Sequence, residues 1–294
     1  MTYPAYEQQA LNTQTVLYGV FGSPVMQSKS PLMLNRAFTV AGINAAYAAF
    51  EVSPNDLAAA VAGIRALDFR GVNVTIPHKV EVMAYLDEID ESARFIGAVN
   101  TIVNDGGKLT GYNTDGIGYV RSLQEETGFA ADGKRIVVLG AGGAARGIVH
   151  SLTQAGAREI IIANRTVSKA VDLAQAFTTG GEIRGIGMEA LPEACTGCDL
   201  LINTTQVGMR PLLGQSPLAP ELLHPHMLVS DIVYNPRETL LMQEAQARGA
   251  MVHGGLGMFI HQGAYAYELW TGLPAPIAEM RQVVEQSLLS VNPQ

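Results

Sequence analysis

Three groups of residues in this chain have types and spacings that can do chemistry. The first is the stretch RIVVLGAGGAA, Arg135 to Ala145, where an apolar run from Ile136 to Leu139 stops at Gly140 and small residues follow. Gly140, Gly142 and Ala145 fit G-x-G-x-x-A. In that pattern the first glycine allows a sharp turn and the second lets backbone approach a pyrophosphate. The small third residue lets helix and strand pack closely, so that the helix N-terminus points at the phosphates. Ala141, Gly143 and Ala144 complete the loop, and a second apolar run, Glu159 to Ala163, follows the helix. The context is that of a dinucleotide site. The second group is the turn after that run, Asn164, Arg165, Thr166, Val167, Ser168 and Lys169. A site for NAD usually carries an acid here for the ribose hydroxyls. Arg165 and Lys169 instead suit a 2′-phosphate, so the expected cofactor is NADP. The third group is Lys79 in NVTIPHK, Asp115 in NTDG, and Ser28 and Ser30 in QSKS. Singly, these read as a surface lysine, a helix-start acid and two capping serines. Together they supply a cation, a carboxylate, hydroxyls and a helix N-terminus, a set suited to proton transfer at an alcohol carbon and to recognition of a small acid.

The elements that must position these groups alternate between strand and helix. Val16 to Phe21, Tyr47 to Val52 and Gly71 to Ile76 read as strands. Ser30 to Gly42 reads as a helix with Ser30 at the N-cap and Pro31 at the first helical position. Pro54 to Leu67 and Lys79 to Tyr85 also read as helices. Ala98 to Val103 and Lys108 to Tyr112 form a hairpin turning at Asp105-Gly106-Gly107. A helix runs from Asp115 to about Thr127, and a polar break from Gly128 to Lys134 precedes the strand before Gly140. Leu200 to Asn203 and Leu228 to Val233 read as buried strands and Leu240 to Arg248 as a helix. Val252 to Gly257 is short and Gly-rich, and helices over Met258 to Trp270 and Ile277 to Leu289 close the chain. Such alternation implies largely parallel sheets covered on both faces, in two α/β domains.

Composition narrows the classes. With 294 residues, 48% of them hydrophobic, the chain can bury a sizeable core. A net charge of -8 argues against a general nucleic-acid or acidic-membrane binder. No apolar run approaches a membrane span, and the start, MTYPAYEQQALNT, reads as a polar extension rather than a signal peptide. Cys195 and Cys198 are the only cysteines. No disulfide framework is implied, and a reducing, cytoplasmic setting is expected. Their C-x-x-C lies in what reads as a polar loop with no second pair to complete a zinc site, so no metal is expected.

The motifs SKSP (Ser28 to Pro31), NVTIPHK (Asn73 to Lys79), GAVNT (Gly97 to Thr101) and GYNTDG (Gly111 to Gly116) resemble shikimate dehydrogenases. So do GAGGAA, NRT, NTTQVGM (Asn203 to Met209), DIVYNP (Asp231 to Pro236) and GLGMFIHQGAYAYELWTG (Gly255 to Gly272), all in the family's order. The resemblance implies NADPH-dependent reduction of 3-dehydroshikimate to shikimate, in the pathway to chorismate and the aromatic amino acids. It implies an α/β substrate domain built from both chain ends (1–114 and 255–294), an NADP-binding Rossmann domain (115–254) and an active site in the cleft between them. By the same resemblance Ser28 and Ser30 hold the substrate carboxylate. Thr75, Asn100 and Gln262 bind ring hydroxyls with Tyr234 nearby, and Lys79 and Asp115 form the catalytic pair. Thr204 and Gly257 join the cofactor set, Thr204 in a loop that lies near the nicotinamide in the family. Gln27 departs from the pattern, standing where many members have His, and so does Thr204-Thr205-Gln206. The expected partners are the small-molecule substrate and the cofactor, with no nucleic acid or membrane, in a monomer or homodimer. Two other readings stand beside this one. A quinate or dual quinate/shikimate dehydrogenase differs by one hydroxyl and ring saturation in its substrate. A non-catalytic NADP-binding sensor would be expected to lack the Lys79 and Asp115 pair.

Overall fold

The computed structural model describes residues 11–177 and 181–289, so most of the N-terminal extension lies outside the described residues. In chain order the elements are β1 (Val16–Gly22), α1 (Ser30–Val40), β2 (Ala45–Glu51), α2 (Leu57–Ala66), β3 (Phe69–Val74), β4 (Glu88–Ile89), α3 (Glu91–Ile96), β5 (Thr101–Asp105) and β6 (Lys108–Tyr112). Next come α4 (Asp115–Thr127), β7 (Arg135–Leu139), α5 (Gly143–Gln154), β8 (Glu159–Ala163), α6 (Val167–Gln175), β9 (Glu182–Ile186), α7 (Leu191–Cys195) and β10 (Leu200–Asn203). The chain then forms β11 (Leu228–Asp231), α8 (Leu240–Ala247), β12 (Met251–His253), α9 (Gly255–Thr271) and α10 (Ile277–Leu289). These elements form two compact units. One runs up to Thr114 and resumes at Gln262; the other is Asp115–His261. The second boundary therefore falls inside α9 rather than at its start. No described helix is long and apolar enough to cross a membrane.

The first unit holds a six-stranded sheet in the order β2-β1-β3-β5-β6-β4. β2, β1 and β3 are parallel, whereas β5 runs antiparallel to both β3 and β6. The sheet is thus mixed, not largely parallel. The cause is the two-residue turn at Gly106 and Gly107, with φ of 58° and 94°, which reverses the chain within one hairpin. Helix α1 buries Met33, Leu34, Ala37 and Phe38, and α2 buries Leu57, Val61 and Ile64, each set at helical spacing. Gly42, at φ 66°, takes the left-handed conformation just past the end of α1.

In the second unit all six strands are parallel, in the order β12-β11-β10-β7-β8-β9. Ile136 and Val138 of β7 pack into one apolar cluster, while Val137 and Leu139 pack into another. Alternate residues of one strand thus feed cores on opposite faces, as in a doubly wound sheet. Strand order reverses between β7 and β10, and ligands of such sheets bind beyond the strand ends at that switch.

Four sequence expectations change. Lys29, not Ser30, occupies the N-cap of α1, since the Lys29 carbonyl accepts the Met33 N–H. The helix expected from Lys79 shrinks to a 3-10 turn over Glu81–Tyr85. Helix α9 begins at Gly255, earlier than Met258, because its glycines allow close approach. A Cβ on Gly255 would strike the Ile232 carbonyl, and one on Gly257 the Ser122 hydroxyl. Cys195 and Cys198 lie in an apolar core, not a polar loop, and burial pushes their thiols up to about 11 and about 12.

Candidate active site

In the first unit the strand ends gather the candidate residues. β1 and β3 end at Gly22 and Val74, and β5 begins at Thr101, paired with Asn73. β6 ends at Tyr112, opposite Thr101. The segments carrying Ser28 and Ser30, Thr75 and Lys79, Asn100, and Thr114 therefore all leave the same end of one sheet. Backbone bonds stitch them together. The Thr75 N–H donates to the Phe21 carbonyl at 2.9 Å, the Ser23 N–H to Ile76 at 2.9 Å, and the Val99 N–H to the Lys79 carbonyl at 2.8 Å. Thr75 and Lys79 are half-buried there.

The two serines have different surroundings. The Ser28 hydroxyl oxygen accepts the Ser30 N–H at 3.2 Å, so Ser28 supplies the side-chain bond at the start of α1. Ser30 is buried, and its hydroxyl meets the Tyr47 phenol, which burial raises well above its ordinary pKa. The loop ahead of them is pinned by Glu51, whose carboxylate accepts the Val25 N–H at 3.0 Å. Hydrogen bonds from Ser23 and Val25 hold the Glu51 pKa below its ordinary value. Asn100 is buried, and its side-chain oxygen accepts the Thr114 N–H at 2.8 Å. Gln262 is half-buried on the part of α9 that belongs to this unit.

Asp115 and Tyr234 belong to the second unit. Asp115 is the first residue of α4 and is buried. Tyr234 follows β11, and its ring stacks on Phe259 with centroids 4.8 Å apart. Burial raises its phenol above the ordinary pKa.

The expected cofactor residues follow the ends of neighbouring strands in this unit. Gly140 has φ 107°, and a Cβ there would lie 2.6 Å from the Thr204 hydroxyl, so both conformation and space call for glycine. Thr204 binds back to the end of β7 twice, its N–H and its hydroxyl both donating to the Leu139 carbonyl, at 2.9 and 2.7 Å. Ala141 and Ala144 are half-buried and Ala145 is buried against β7. A Cβ on Gly142 or Gly143 would meet open space. No side chain caps α5, whose N-cap is Gly142. An uncapped helix start with an open glycine surface fits a pyrophosphate. At the end of β8 the Asn164 amide donates to the Thr166 carbonyl at 2.9 Å, shaping the turn that carries the exposed Arg165, Thr166 and Lys169. Their exposure fits binding of a phosphate from solvent. Gly257 packs on Ser122, whose hydroxyl bonds His253 at 2.8 Å, so this glycine also has a packing reason to be there.

Sequence reasoning missed the groups behind these residues. Asp231, fully buried, accepts from the Asn203 amide (3.0 Å), the Val233 N–H (3.0 Å) and the Thr239 hydroxyl (2.8 Å). Burial raises its pKa above the ordinary value, against those hydrogen bonds. Asn203 in turn accepts from the Thr205 N–H and hydroxyl at 3.0 and 2.7 Å. This lattice gives the unusual Thr204-Thr205-Gln206 loop a defined shape. The available signal was a polar residue at the end of each of two apolar strands.

Sequence models described as the shikimate dehydrogenase substrate binding domain, shikimate / quinate 5-dehydrogenase and the shikimate 5′-dehydrogenase C-terminal domain match residues 20–102, 122–240 and 255–285. A curated relative from Geobacillus kaustophilus, named shikimate dehydrogenase (NADP(+)), is 52% identical over 92% of this chain and 98% of its own length. Among solved structures, a shikimate dehydrogenase in complex with NADP+ superposes with a TM-score of 0.91. It is 43% identical and covers 97% of this chain and 99% of its own. The Thermus thermophilus shikimate 5-dehydrogenase, in complex with NADP(H) and shikimate, gives a TM-score of 0.85 at 35% identity, over 93% of this chain and 100% of its own.

Proposed function

This chain belongs to the shikimate dehydrogenase family, and we propose that it carries out the family's reaction with the residues described above. It is an NADP-dependent oxidoreductase that interconverts 3-dehydroshikimate and shikimate, a step toward the aromatic amino acids. NADPH, when bound, supplies the hydride for the ketone carbon. The chain's own residues bind, orient and move the proton. Ser28 and Ser30 receive the substrate carboxylate, and Thr75, Asn100 and Gln262 the ring hydroxyls, with Tyr234 near them. Lys79 donates a proton from its Nζ to the oxygen that gains charge as the ketone is reduced, and Asp115 orients that exchange. In the oxidation direction the pair takes the alcohol proton. Gly140, Ala141, Gly142, Gly143, Ala144 and Ala145 cradle the pyrophosphate, Asn164, Arg165, Thr166 and Lys169 the 2′-phosphate end, and Thr204 and Gly257 the nicotinamide end.

The observation that carries this assignment of roles is the gathering of hydroxyl, amide and ammonium side chains at one end of the first sheet. Such a set suits a small polyhydroxylated acid. The protein works in the cytoplasm as a monomer or homodimer, and its two free, buried cysteines fit a reducing compartment. Initial rates with shikimate and quinate, each with NADP+ and NAD+, test the reading. Shikimate with NADP+ is expected to give the highest kcat/KM. A preference for quinate with NAD+ would replace it with the quinate assignment, and NADP+ binding without turnover of either acid would favour a sensor.

A further inference from the structure

Behind the glycine turn of the second unit lies a buried polar chain in which each donor direction can be fixed. Asn203 and Asp231, the last residues of β10 and β11, are fully buried. Two backbone groups decide the orientation of the Asn203 amide, because a backbone carbonyl can only accept and a backbone N–H only donate. The Val207 carbonyl lies 3.0 Å from one side-chain atom of Asn203, so that atom is the nitrogen. The Thr205 N–H lies 3.0 Å from the other, which is therefore the oxygen. The nitrogen gives its second proton to Asp231 at 3.0 Å, and the oxygen takes the Thr205 hydroxyl as its second donor at 2.7 Å. Both protons and both lone pairs of the amide are thus used within this unit.

The groups that bond Asp231 all donate to it. The Val233 N–H reaches the same carboxylate oxygen as Asn203, at 3.0 Å. The Thr239 hydroxyl gives its proton to the other oxygen at 2.8 Å, while accepting the Met242 N–H at 3.4 Å at the start of α8. An ionised carboxylate matches such surroundings, and a protonated one would set a donor against donors. Asp231 thereby ties down both ends of the loop over residues 204–208. At one end it holds Asn203, which clamps Thr205. At the other it holds Thr239, whose methyl group would lie 3.2 Å from a Cβ on Gly208, a residue at φ 102°. The loop in turn presses on the glycine turn. The Thr204 N–H and hydroxyl both donate to the Leu139 carbonyl, and the hydroxyl oxygen lies 2.6 Å from where a Cβ on Gly140 would stand.

We propose that Asp231 is a positioning residue for the dinucleotide, which acts through Asn203 and Thr205 to set Thr204 against Gly140 and so fixes the turn that receives the pyrophosphate. This rests on the assignment of Gly140 to Ala145 to the cofactor. The chain acts without touching the cofactor. A buried polar network that is satisfied throughout specifies one arrangement of the loop. A loop ordered beforehand spares the ligand the cost of ordering it on binding.

Thr205→Val cuts the chain at its last link and alters no residue assigned to either ligand. Calorimetric titration is expected to give a Kd for NADP+ about tenfold above wild type, with the KM for shikimate at saturating NADP+ unmoved, and Thr205→Ser is expected to restore the Kd. A lower Tm with an unchanged Kd in Thr205→Val would make the chain purely structural and overturn the proposal. So would a Thr205→Ser protein that binds as weakly as Thr205→Val, or a parallel rise in the KM for shikimate. Asp231→Asn keeps the shape, since its amide oxygen can take the Asn203 and Val233 donors and the Thr239 hydroxyl can turn to accept from its nitrogen. It is expected to weaken NADP+ about fivefold, because bonds to a carboxylate are stronger than bonds to a neutral amide; a wild-type Kd would remove Asp231 from the account. The double variant should bind NADP+ no more weakly than Thr205→Val alone, because both changes break one chain. A loss equal to the product of the two single losses would show that Asp231 does not act through Thr205, and would overturn the proposal. The Thr205 variants decide the matter even where Asp231→Asn fails to fold. If the unaltered protein does not bind NADP+ in the same titration, the cofactor reading fails first and this inference falls with it, whereas equal binding by wild type and Thr205→Val sinks this inference alone.

Discussion

In the assignment proposed above, the two units use different means to hold their ligands. The first relies on side chains: Ser28, Thr75, Lys79 and Asn100 at the sheet end, backed by Tyr47, Asn73 and Thr101 in the interior. The second relies on backbone: Gly140 in a conformation that needs glycine, Gly142 and Gly143 with open space, and an uncapped helix start. Its charged groups, Arg165 and Lys169, stand exposed at the rim. The difference follows from the ligands. A pyrophosphate is a strong acceptor whatever it is attached to, so N–H groups and small residues suffice. A small acid with several hydroxyls must be told from close analogues, and that takes donors and acceptors of fixed direction.

If the division holds, changes at the residues assigned to one ligand should act on that ligand and spare the other, even where, as at Asp115, a residue assigned to the substrate belongs to the second unit. The largest effect is expected at the reacting atoms. Asp115→Asn should lower turnover about 10²–10⁴-fold, with NADP+ affinity retained; a parallel loss of NADP+ binding would blur the division. Next comes Arg165→Ala, which should weaken NADP+ about ten- to a hundredfold while leaving NAD+ and shikimate constants alone. Titration with both cofactors checks it, and equal losses for the two would remove the 2′-phosphate role. Ser28→Ala should raise the KM for shikimate up to about tenfold with a smaller change in turnover. An unchanged KM would place the carboxylate elsewhere.

The smallest effect is expected at Glu51, whose hydrogen bonds to Ser23 and Val25 lower its pKa in the folded state. A lowered pKa means stabilisation that is present above the unfolded-state pKa and lost as pH falls through the folded one. Glu51→Gln should therefore lower the melting temperature slightly at neutral pH, where this stabilisation is fully present, and flatten the acid limb of the profile so that the two proteins converge below the ordinary glutamate pKa. Identical acid limbs for the two proteins would show that this loop is not anchored by the carboxylate.

The contrast between the units also governs what the sequence made legible. The second unit's turn was readable from residue types alone, because Gly140, Gly142 and Ala145 are required by geometry and their spacing is local. Its strands β7, β8 and β10 were equally plain, being short apolar runs. The first unit's site was not readable that way. Ser28, Lys79 and Asn100 are far apart in sequence and meet only through the strand order β1-β3-β5, which pairs Asn73 with Thr101. Resemblance to a family supplied those residues, and it could not supply the Tyr47–Asn73–Thr101 chain behind them. The helix ends failed for a local reason. Ser30 looked like a cap, yet Ser28 makes the hydrogen bond and Ser30 turns into the interior. Glycines in GGLG looked like a loop but let α9 start where its backbone comes close to Ile232, just after β11, and to Ser122 of α4.

The central claim is that Lys79 carries the proton for a reaction whose cofactor is held independently. The most direct measurement is single-turnover and steady-state rates of Lys79→Ala with shikimate and NADP+, alongside calorimetric binding of NADP+ to the same protein. The account predicts a rate about 10²–10⁴-fold below wild type with the NADP+ dissociation constant unchanged. Near-normal turnover in that variant would contradict it and leave Lys79 as an ordinary half-buried lysine at the end of β3.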